Sequence, residues 1–471
     1  MSKISAMMDV GKRSMLNSQT ALQTVSHNIA NRSTEGYSRQ RVDLQSSTPV
    51  SEGRLQIGMG AKTAAVTRVN NPFLEKQIQR EGSQKSFLDT QAELMSRIEQ
   101  VFNEQSVKGL NQYISDFFNS FRELANTPES LTARSVVKES AELMSQDFSR
   151  VMKQLDDVQK DINFQIAGRV EEAYGLIAEI ASLNQQIVEI EVRGVVANDQ
   201  RDRRDMLLKK LNEIMDIKIA EGDRGSVTIM SAGNAILVSG NDHATLKTQS
   251  SGEGGHLRIL VKSAGVSDPV DVTERIRGGS LGAAIQIRDE TLTQAKMHMN
   301  EMASTIVREV NQVHAQGFDR LGRPAGEFFD ARALELPNPA EGLRLSQDVV
   351  NDLGRIAASS VPGAVGDPRI AHRIAQIQNA TLFDEGKATI DDFYNSQVGR
   401  LGVLAQKAIK ASEAQAEIVG QLSKLRESIS GVSLDEEATK MIEFQKAFDA
   451  SARLIRTADE MLETVMNLKR L

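Results

Sequence analysis

Cysteine is absent from all 471 residues, which excludes disulfides and thiolate metal sites. Tryptophan is absent too, and aromatic residues make up only 4%. Cores drawn instead from Ala, Leu, Ile, Val and Met suit helix packed on helix. No apolar run approaches the roughly 20 residues of a membrane span. The opening residues, Met1 to Val10, lack the apolar h-region and small-residue cleavage site of a secretory signal, so export, if it occurs, is expected by a route without a cleavable peptide. Nor is there an excess of basic charge: 56 Lys and Arg against 63 Asp and Glu leave a net charge of −7, which argues against a nucleic-acid binder. The 40% apolar content is enough for real cores, and the length suits two to four domains.

Two amphipathic stripes dominate what remains. From Gly431 to the C-terminus, Met441, Phe444, Phe448, Ala452, Ile455, Ala458, Leu462 and Val465 recur in alternating steps of three and four, a narrow seam on one helix of roughly 50 Å. Ser433 and Glu436 have capping-box spacing at its start. Ile4, Met8, Gly11, Met15, Ser18, Leu22, Val25 and Ile29 repeat the pattern at the N-terminus. Neither helix hides its own stripe, so the two ends are expected to pair across the whole sequence.

Between them, Tyr37–Leu44 and Ala64–Val69 read as strands. Pro72–Leu124 is helical with a break near Gly109, and a periodic stretch from about Ser130 to Val192 spans on the order of 90 Å, too long for a small globule. A short helix covers Asp199–Met215. Strand signals separated by glycine-rich turns then fill Ile217 to about Thr273. Helix resumes from Leu281 to about Gln316, irregular chain follows to Val361, and Ile370–Ala380 and Ile390–Ile429 are helical again. The expected fold class is mainly α: a long antiparallel helical rod formed by the N- and C-terminal halves, with a small inserted all-β domain. Its divisions are residues 1–65 with 431–471 as a terminal coiled-coil core and short extended segment, 66–216 with 276–430 as the rod, and 217–275 as the β-rich outer domain.

Chemistry is sparse. Gly278-Gly-Ser280-Leu-Gly282 matches the G-x-S-x-G elbow of a serine hydrolase, but charged residues precede it, and a glycine turn with Ser280 as N-cap is the plainer reading. Gly58–Thr63 lacks the Gly-Lys-Ser/Thr junction of a phosphate loop. Six histidines share no metal spacing. Asp199, Asp202 and Asp205 open a helix, where acids suit the macrodipole, with Arg203 and Arg204 as ion-pair partners. No catalytic, cofactor or metal site is expected.

Both ends also carry longer signatures. Gly431-Val-Ser-Leu-Asp-Glu-Glu-Ala-Thr, Phe444-Gln-Lys-Ala-Phe448, Ala450-Ser-Ala-Arg453 and Thr457-Ala-Asp-Glu-Met461 resemble the C-terminal block of the flagellar hook-associated protein 1 family, the hook–filament junction proteins. Ser26-His-Asn-Ile-Ala-Asn31 with Gly36-Tyr37-Ser-Arg39-Gln40 resembles the signature shared by rod, hook and hook-associated proteins, and Arg39-Gln40 points to the junction family. Gly58-Met-Gly60, Asn198-Asp199, Arg204-Asp205, Gly278–Gly282, Arg288-Asp289, Asn311, His314 and Gly317 agree with it. Two features depart: Arg32-Ser33 adds a polar pair before Thr34, and the β insertion is small, so the outer domain of longer members is expected to be missing.

The resemblance implies a non-enzymatic structural adaptor outside the cell, without cofactor. It would form a ring or helical layer with itself, with the hook protein on one side and a second junction protein on the other. It implies type III export without a cleavable signal, helped by an export chaperone, and partners that include neither nucleic acid nor membrane. Leu22, Val25 and Ile29 against Phe444, Phe448, Ile455 and Leu462 are the expected self-assembly seam, folding as copies gather. Asn28, Asn31, Gly36, Tyr37, Arg39 and Gln40 would shape the bend and strand leading out of it. A hook or rod protein is the alternative, which would normally lack the long central helices and the C-terminal block; a hydrolase at Ser280 is a remote one.

Overall fold

Helices α1 (Ser2–Ala30), α2 (Pro72–Val101), α3 (Leu110–Asn126), α4 (Leu131–Glu191) and α5 (Asn198–Ile214) precede a strand-rich insert in the computed structural model. After it come α6 (Gly279–Gln286), α7 (Thr293–His314), α8 (Gln347–Asn351), α9 (Arg369–Gln376), α10 (Ile390–Ser430) and α11 (Leu434–Leu468). The structure describes residues 2–52, 55–102, 109–222, 225–231, 233, 235–252, 255–263 and 268–468.

The rod is built on α4, whose 61 residues span about 90 Å. Ser130 caps it by accepting the Ala133 N–H. Along it Val137, Ala141, Met144, Phe148, Val151 and Leu155 are buried at helical spacing, and Ile162 to Ile187 continue the stripe. Against this spine pack α3, α2 and α6. Helix α2 starts on Asn71, whose side chain accepts from Phe73 and Leu74, with Pro72 at the first position. It runs antiparallel to α10, as Arg426 reaches Glu75 (2.8 Å), Gln415 reaches Glu81 (2.6 Å) and Ser412 reaches Asp89 (2.5 Å). A capping box of Thr389 and Asp392 opens α10. Sequence-distant halves thus meet side by side, as the apolar periodicity requires. No helix among the described residues is long and apolar enough to cross a membrane.

The insert is antiparallel throughout. Strands β1 (Gln40–Ser46) and β4 (Ala61–Arg68) pair outside it, flanking the short hairpin β2 (Val50–Glu52) and β3 (Leu55–Ile57). Within it, β5 (Ile217–Glu221), β6 (Val227–Ser231), β7 (Ile236–Ser239) and β8 (Asp242–His243) form a meander. Strands β9 (Thr245–Ser250), β10 (Leu257–Lys262) and β11 (Val270–Asp271) form a second sheet. One buried amide holds the meander to α4. Asn184 donates to the Val227 and Gly240 carbonyls and accepts from the Val227 N–H and from Arg204.

Two expectations need correction. The stretch Leu281–Gln316 is not one regular helix, because a π-turn occupies Ile287–Leu292. That turn faces the buried Arg288 toward Asp289, Asn163 and the Leu257 carbonyl, so the irregularity serves an anchor. Ser433 does cap α11, weakly, at 3.5 Å from the Glu436 N–H. Glu436 does not close the capping box; its carboxylate binds Arg39 at 2.8 Å.

The few aromatics concentrate where the irregular chain lies on the rod. Phe117, Phe118, Phe121, Phe328 and Phe329 pack edge-on or tilted, with centroids 4.9 to 5.9 Å apart, and the His314 ring joins them. His314 is fully buried between two backbone groups: Nδ1 donates to the Gly326 carbonyl (2.7 Å) and Nε2 accepts the Ala357 N–H (2.9 Å). The Nε2 bond requires the neutral ring, since a protonated imidazole cannot accept there. Burial therefore lowers its pKa from 6.5 to about 4.

Since the unfolded chain binds this proton first, stability is complete above pH 6.5 and falls as the pH drops toward 4, by up to about 3 kcal/mol. Guanidinium unfolding of the wild type should lose stability between pH 6.5 and 5.5. His314→Gln, though weaker throughout, should show a distinctly smaller loss in that window.

Candidate assembly interface

The terminal helices pair as the seam predicts, antiparallel and in a fixed register. Asn28 meets Glu437, Ser14 meets Ser451 (2.7 Å between hydroxyls), and Gly11 lies under Leu454 and Ile455. A Cβ on Gly11 would come within 2.8 Å of both side chains, so the helices approach here because a side chain is missing. Of the expected seam residues, Val25 is buried, whereas Leu22, Ile29, Phe444, Phe448, Ile455 and Leu462 are only half-buried. Small residues fill the tightest contacts: Gly11, Ser18, Ala21, Ser451 and Ala458 are all buried. Of these, Gly11, Ser18 and Ala458 belong to the two stripes, and Ala21 and Ser451 fall outside them.

At the base of this hairpin stands a polar hub. Asn28 is 1% exposed, and its amide is fully used. It donates to the Gln40 carbonyl (2.9 Å) and the Glu437 carboxylate (2.8 Å), and accepts from the Gln40 N–H (2.9 Å) and the Tyr37 hydroxyl (2.8 Å). One side chain thus ties α1, β1 and α11 together. Asn31 donates back to the His27 carbonyl and accepts from Thr34, closing α1. Gly36 then turns the chain at φ +81°, close against Met206 of α5. Arg39 donates its backbone N–H to the Ser430 carbonyl (2.9 Å), joining the strand to the end of α10.

Helix α5 supplies the other half. Gln40 donates to Asp199 (2.8 Å), the Ser38 N–H to Asp202 (2.9 Å), and Arg68 of β4 to Asp202 (2.7 Å) and Asp205 (2.9 Å). Asn198 donates to the Val66 carbonyl. The acids are therefore staples between the terminal unit and the rod rather than macrodipole partners. Residues 198, 202 and 205 share one helix face, a signal present in the sequence, but its target strand is more than 130 residues away. Lys209 and Arg426 both grip Glu75 beside them.

Electrostatics follow the burial. Tyr37 is pushed far above its ordinary pKa by burial first and then by Asp199, Asp202 and Glu437, so its hydroxyl remains a donor to Asn28. Burial raises Asp202, and the Arg68 guanidinium and Ser38 N–H offset this only in part. At Glu75 burial pushes upward, but Lys209 and Arg426 together leave the carboxyl below its usual value.

Ser280 corrects the hydrolase alternative. Nor is it the expected N-cap: Gly278 holds that place, Ser280 sits at the second position of α6, and its carbonyl accepts from Arg169. A 3-10 turn over Thr273–Arg275 stands where the elbow needs a strand. Gly279 takes φ +65° against the backbone of Ile214 and Met215, so the glycines serve close packing. The histidines are engaged elsewhere: His27 with Asp199, His243 with Tyr174, His256 with Asp289, His298 with Phe393, His314 with Gly326 and Ala357, and His372 with Gln376. Among the described residues no cluster suits a metal ion.

Fold and hub together define an elongated helical structural subunit whose two chain ends are locked to each other and stapled to its rod. A family model described as the flagellar hook-associated protein FlgK helical domain matches residues 95–329, and one for the C-terminal region of flagellar basal body rod FlgEFG proteins matches 426–468. Flagellar hook-associated protein 1 of Bacillus subtilis is 28% identical over 494 residues, covering 98% of this chain and 97% of the relative. The Escherichia coli protein of the same name is 25% identical, covering 96% and 97%. The solved structure of the flagellar hook junction protein FlgK from Burkholderia pseudomallei superposes with a TM-score of 0.68 at 16% identity, covering 75% of this chain and all of that one. The chain belongs to the flagellar hook-associated protein 1 family.

Replacing Asn28 by Ala strands the Gln40 backbone and Glu437 without their partner, at a cost of about 3–5 kcal/mol to the hub. Hydrogen exchange should show lost protection at residues 24–30 and 434–440, while the α2–α4 core keeps its own.

Proposed function

We infer that this protein is a structural adaptor subunit of the bacterial flagellum, placed where hook meets filament. One observation carries the reading beyond family membership. The terminal hairpin is paired, yet Ile442, Met461, Val465 and Met466 of α11 and Leu16 of α1 remain exposed. Single apolar residues on a surface are ordinary, but several large ones on two paired helices offer surface for neighbours to cover. In this reading copies repeat head to tail in a ring or helical layer, the heterologous kind of contact.

In this reading the seam of Leu22, Val25, Ile29, Phe444, Phe448, Ile455 and Leu462 holds each hairpin, and the exposed apolar residues join it to the next copy. Asn28, Asn31, Gly36, Tyr37, Arg39 and Gln40 set the angle between hairpin and rod. Residues 1–65 with 431–471 act as the assembling unit, 66–216 with 276–430 as the spacer, and 217–275 as an outer module held on by Asn184. The partners are further copies, the hook protein on one side, a second junction protein on the other, and an export chaperone. The protein works outside the cell, without a cofactor and without catalysis.

A double variant, Ile442→Asp with Met461→Asp, changes only exposed positions and should leave the unfolding free energy within about 0.5 kcal/mol per site. In a strain lacking the native chain it should be made and exported, but filaments should not form and the cells should not swim. Normal filaments in that strain would remove the hairpin face from the assembly.

A further inference from the structure

A second pair of features lies on the rod, well away from the terminal hairpin. Phe164, on the outward line of α4, is 82% exposed in a chain with few aromatics. One turn further, Gly168 has nothing near its missing Cβ. A glycine in the middle of an exposed helix costs about 0.5–1 kcal/mol relative to alanine, and it lets another backbone come close. Asp157, Asp161 and Glu171 flank the ring on the same side of α4, with Lys160 paired to Asp157 and Arg97 3.9 Å from Asp161.

The complement is a cleft between α7 and α10, about 50 Å³ in volume. Phe102, Met299, Phe393, Leu401 and Leu404 form its apolar floor and walls, and Arg400 stands at the lining. Lys407 and Lys410 continue the basic line of α10 on its exposed side. An exposed ring beside acids therefore has its counterpart in an apolar cleft beside bases.

The two lie at one height along the rod. Asp161 of α4 is 3.9 Å from Arg97 of α2, Lys296 of α7 reaches Asp156 of α4, and Glu99 of α2 is the nearest neighbour to Gly402 of α10. Phe73, the other strongly exposed phenylalanine, starts α2 and lies roughly 40 Å along the helix from that level. Only Phe164 is placed so that copies standing side by side, unshifted along their axes, bring a ring to a cleft.

We propose that Phe164 of one copy seats in the α7–α10 cleft of the adjacent copy, with Asp157, Asp161 and Glu171 facing Arg400, Lys407 and Lys410. Ring and cleft are different patches, so the contact does not close as a two-fold pair and passes from copy to copy. It rests on the adaptor reading, and adds to it a lateral rod-to-rod contact separate from the terminal hairpin.

The absence of cysteine makes the test direct. Asp161→Cys and Gln397→Cys place one thiol beside the ring and one in the cleft lining. Flagella bearing the double variant, treated with copper–phenanthroline, should give a ladder of disulfide-linked dimers, trimers and higher species on a non-reducing gel. Either single variant should stay monomeric. Alongside it, Phe164→Asp should leave the purified chain's melting curve unchanged and shorten attached filaments at least several-fold under shear. Chain present at the hook tip with no ladder, or Phe164→Asp filaments as shear-resistant as wild type, overturns this contact and leaves the adaptor reading standing. Chain absent from the hook tip overturns both.

Discussion

Asn28 and Glu437 are separated by 409 positions in sequence and by 2.8 Å in space, and most of the architecture serves that encounter. A buried primary amide costs several kcal/mol unless its donors and acceptor are all used. Here they are, by groups from α1's own exit strand, from Tyr37 and from α11. The arrangement requires the chain to leave along the rod, make its β excursion and return beside its starting point. Antiparallel packing of α2 on α10 enforces the return, because Arg426 and Glu75 align the point of departure with the point of arrival.

Around that encounter, polar and apolar contacts have separate tasks. The rod's interior is nearly all aliphatic and aromatic, which gives adhesion without direction. Direction comes from a few buried polar nodes, each set where one unit meets another: Asn28 between the chain ends, Asp202 with Arg68 between hairpin and rod, Asn184 between rod and outer sheet, and Arg288 between the π-turn and β10. Removing one partner of such a node is far more damaging than its net contribution suggests, since the other is left buried and unpaired. The hub is therefore specific in angle, even though the apolar seam above it is only half covered.

Periodicity made the long helices legible. Apolar steps of three and four placed α4 to within a residue or two at each end, and the same pattern at the termini announced that α1 and α11 would pair. Glycine-rich turns between alternating segments located β6, β7, β9 and β10. What periodicity does not carry is register. The two stripes held Gly11 and Ile455 without showing that the two would meet, and the Ser14–Ser451 contact lies outside the stripes altogether. The acids of α5 were readable as one face, and nothing local indicated that the face would meet Ser38, Gln40 and Arg68. The π-turn likewise leaves little trace, since Ile287–Leu292 keeps a helical composition.

The order in which a ribosome delivers the chain gives the Asn28–Glu437 bond a further meaning. For the first 436 residues of synthesis, Asn28 has no carboxylate to meet, although α10 packed on α2 has by then brought the chain back beside its start. A chain broken off early would have its rod and its outer sheet but an open tip. The last element made thus completes the joint begun by the first, and a truncated copy reaching the growing structure would lack the lock that fixes its angle.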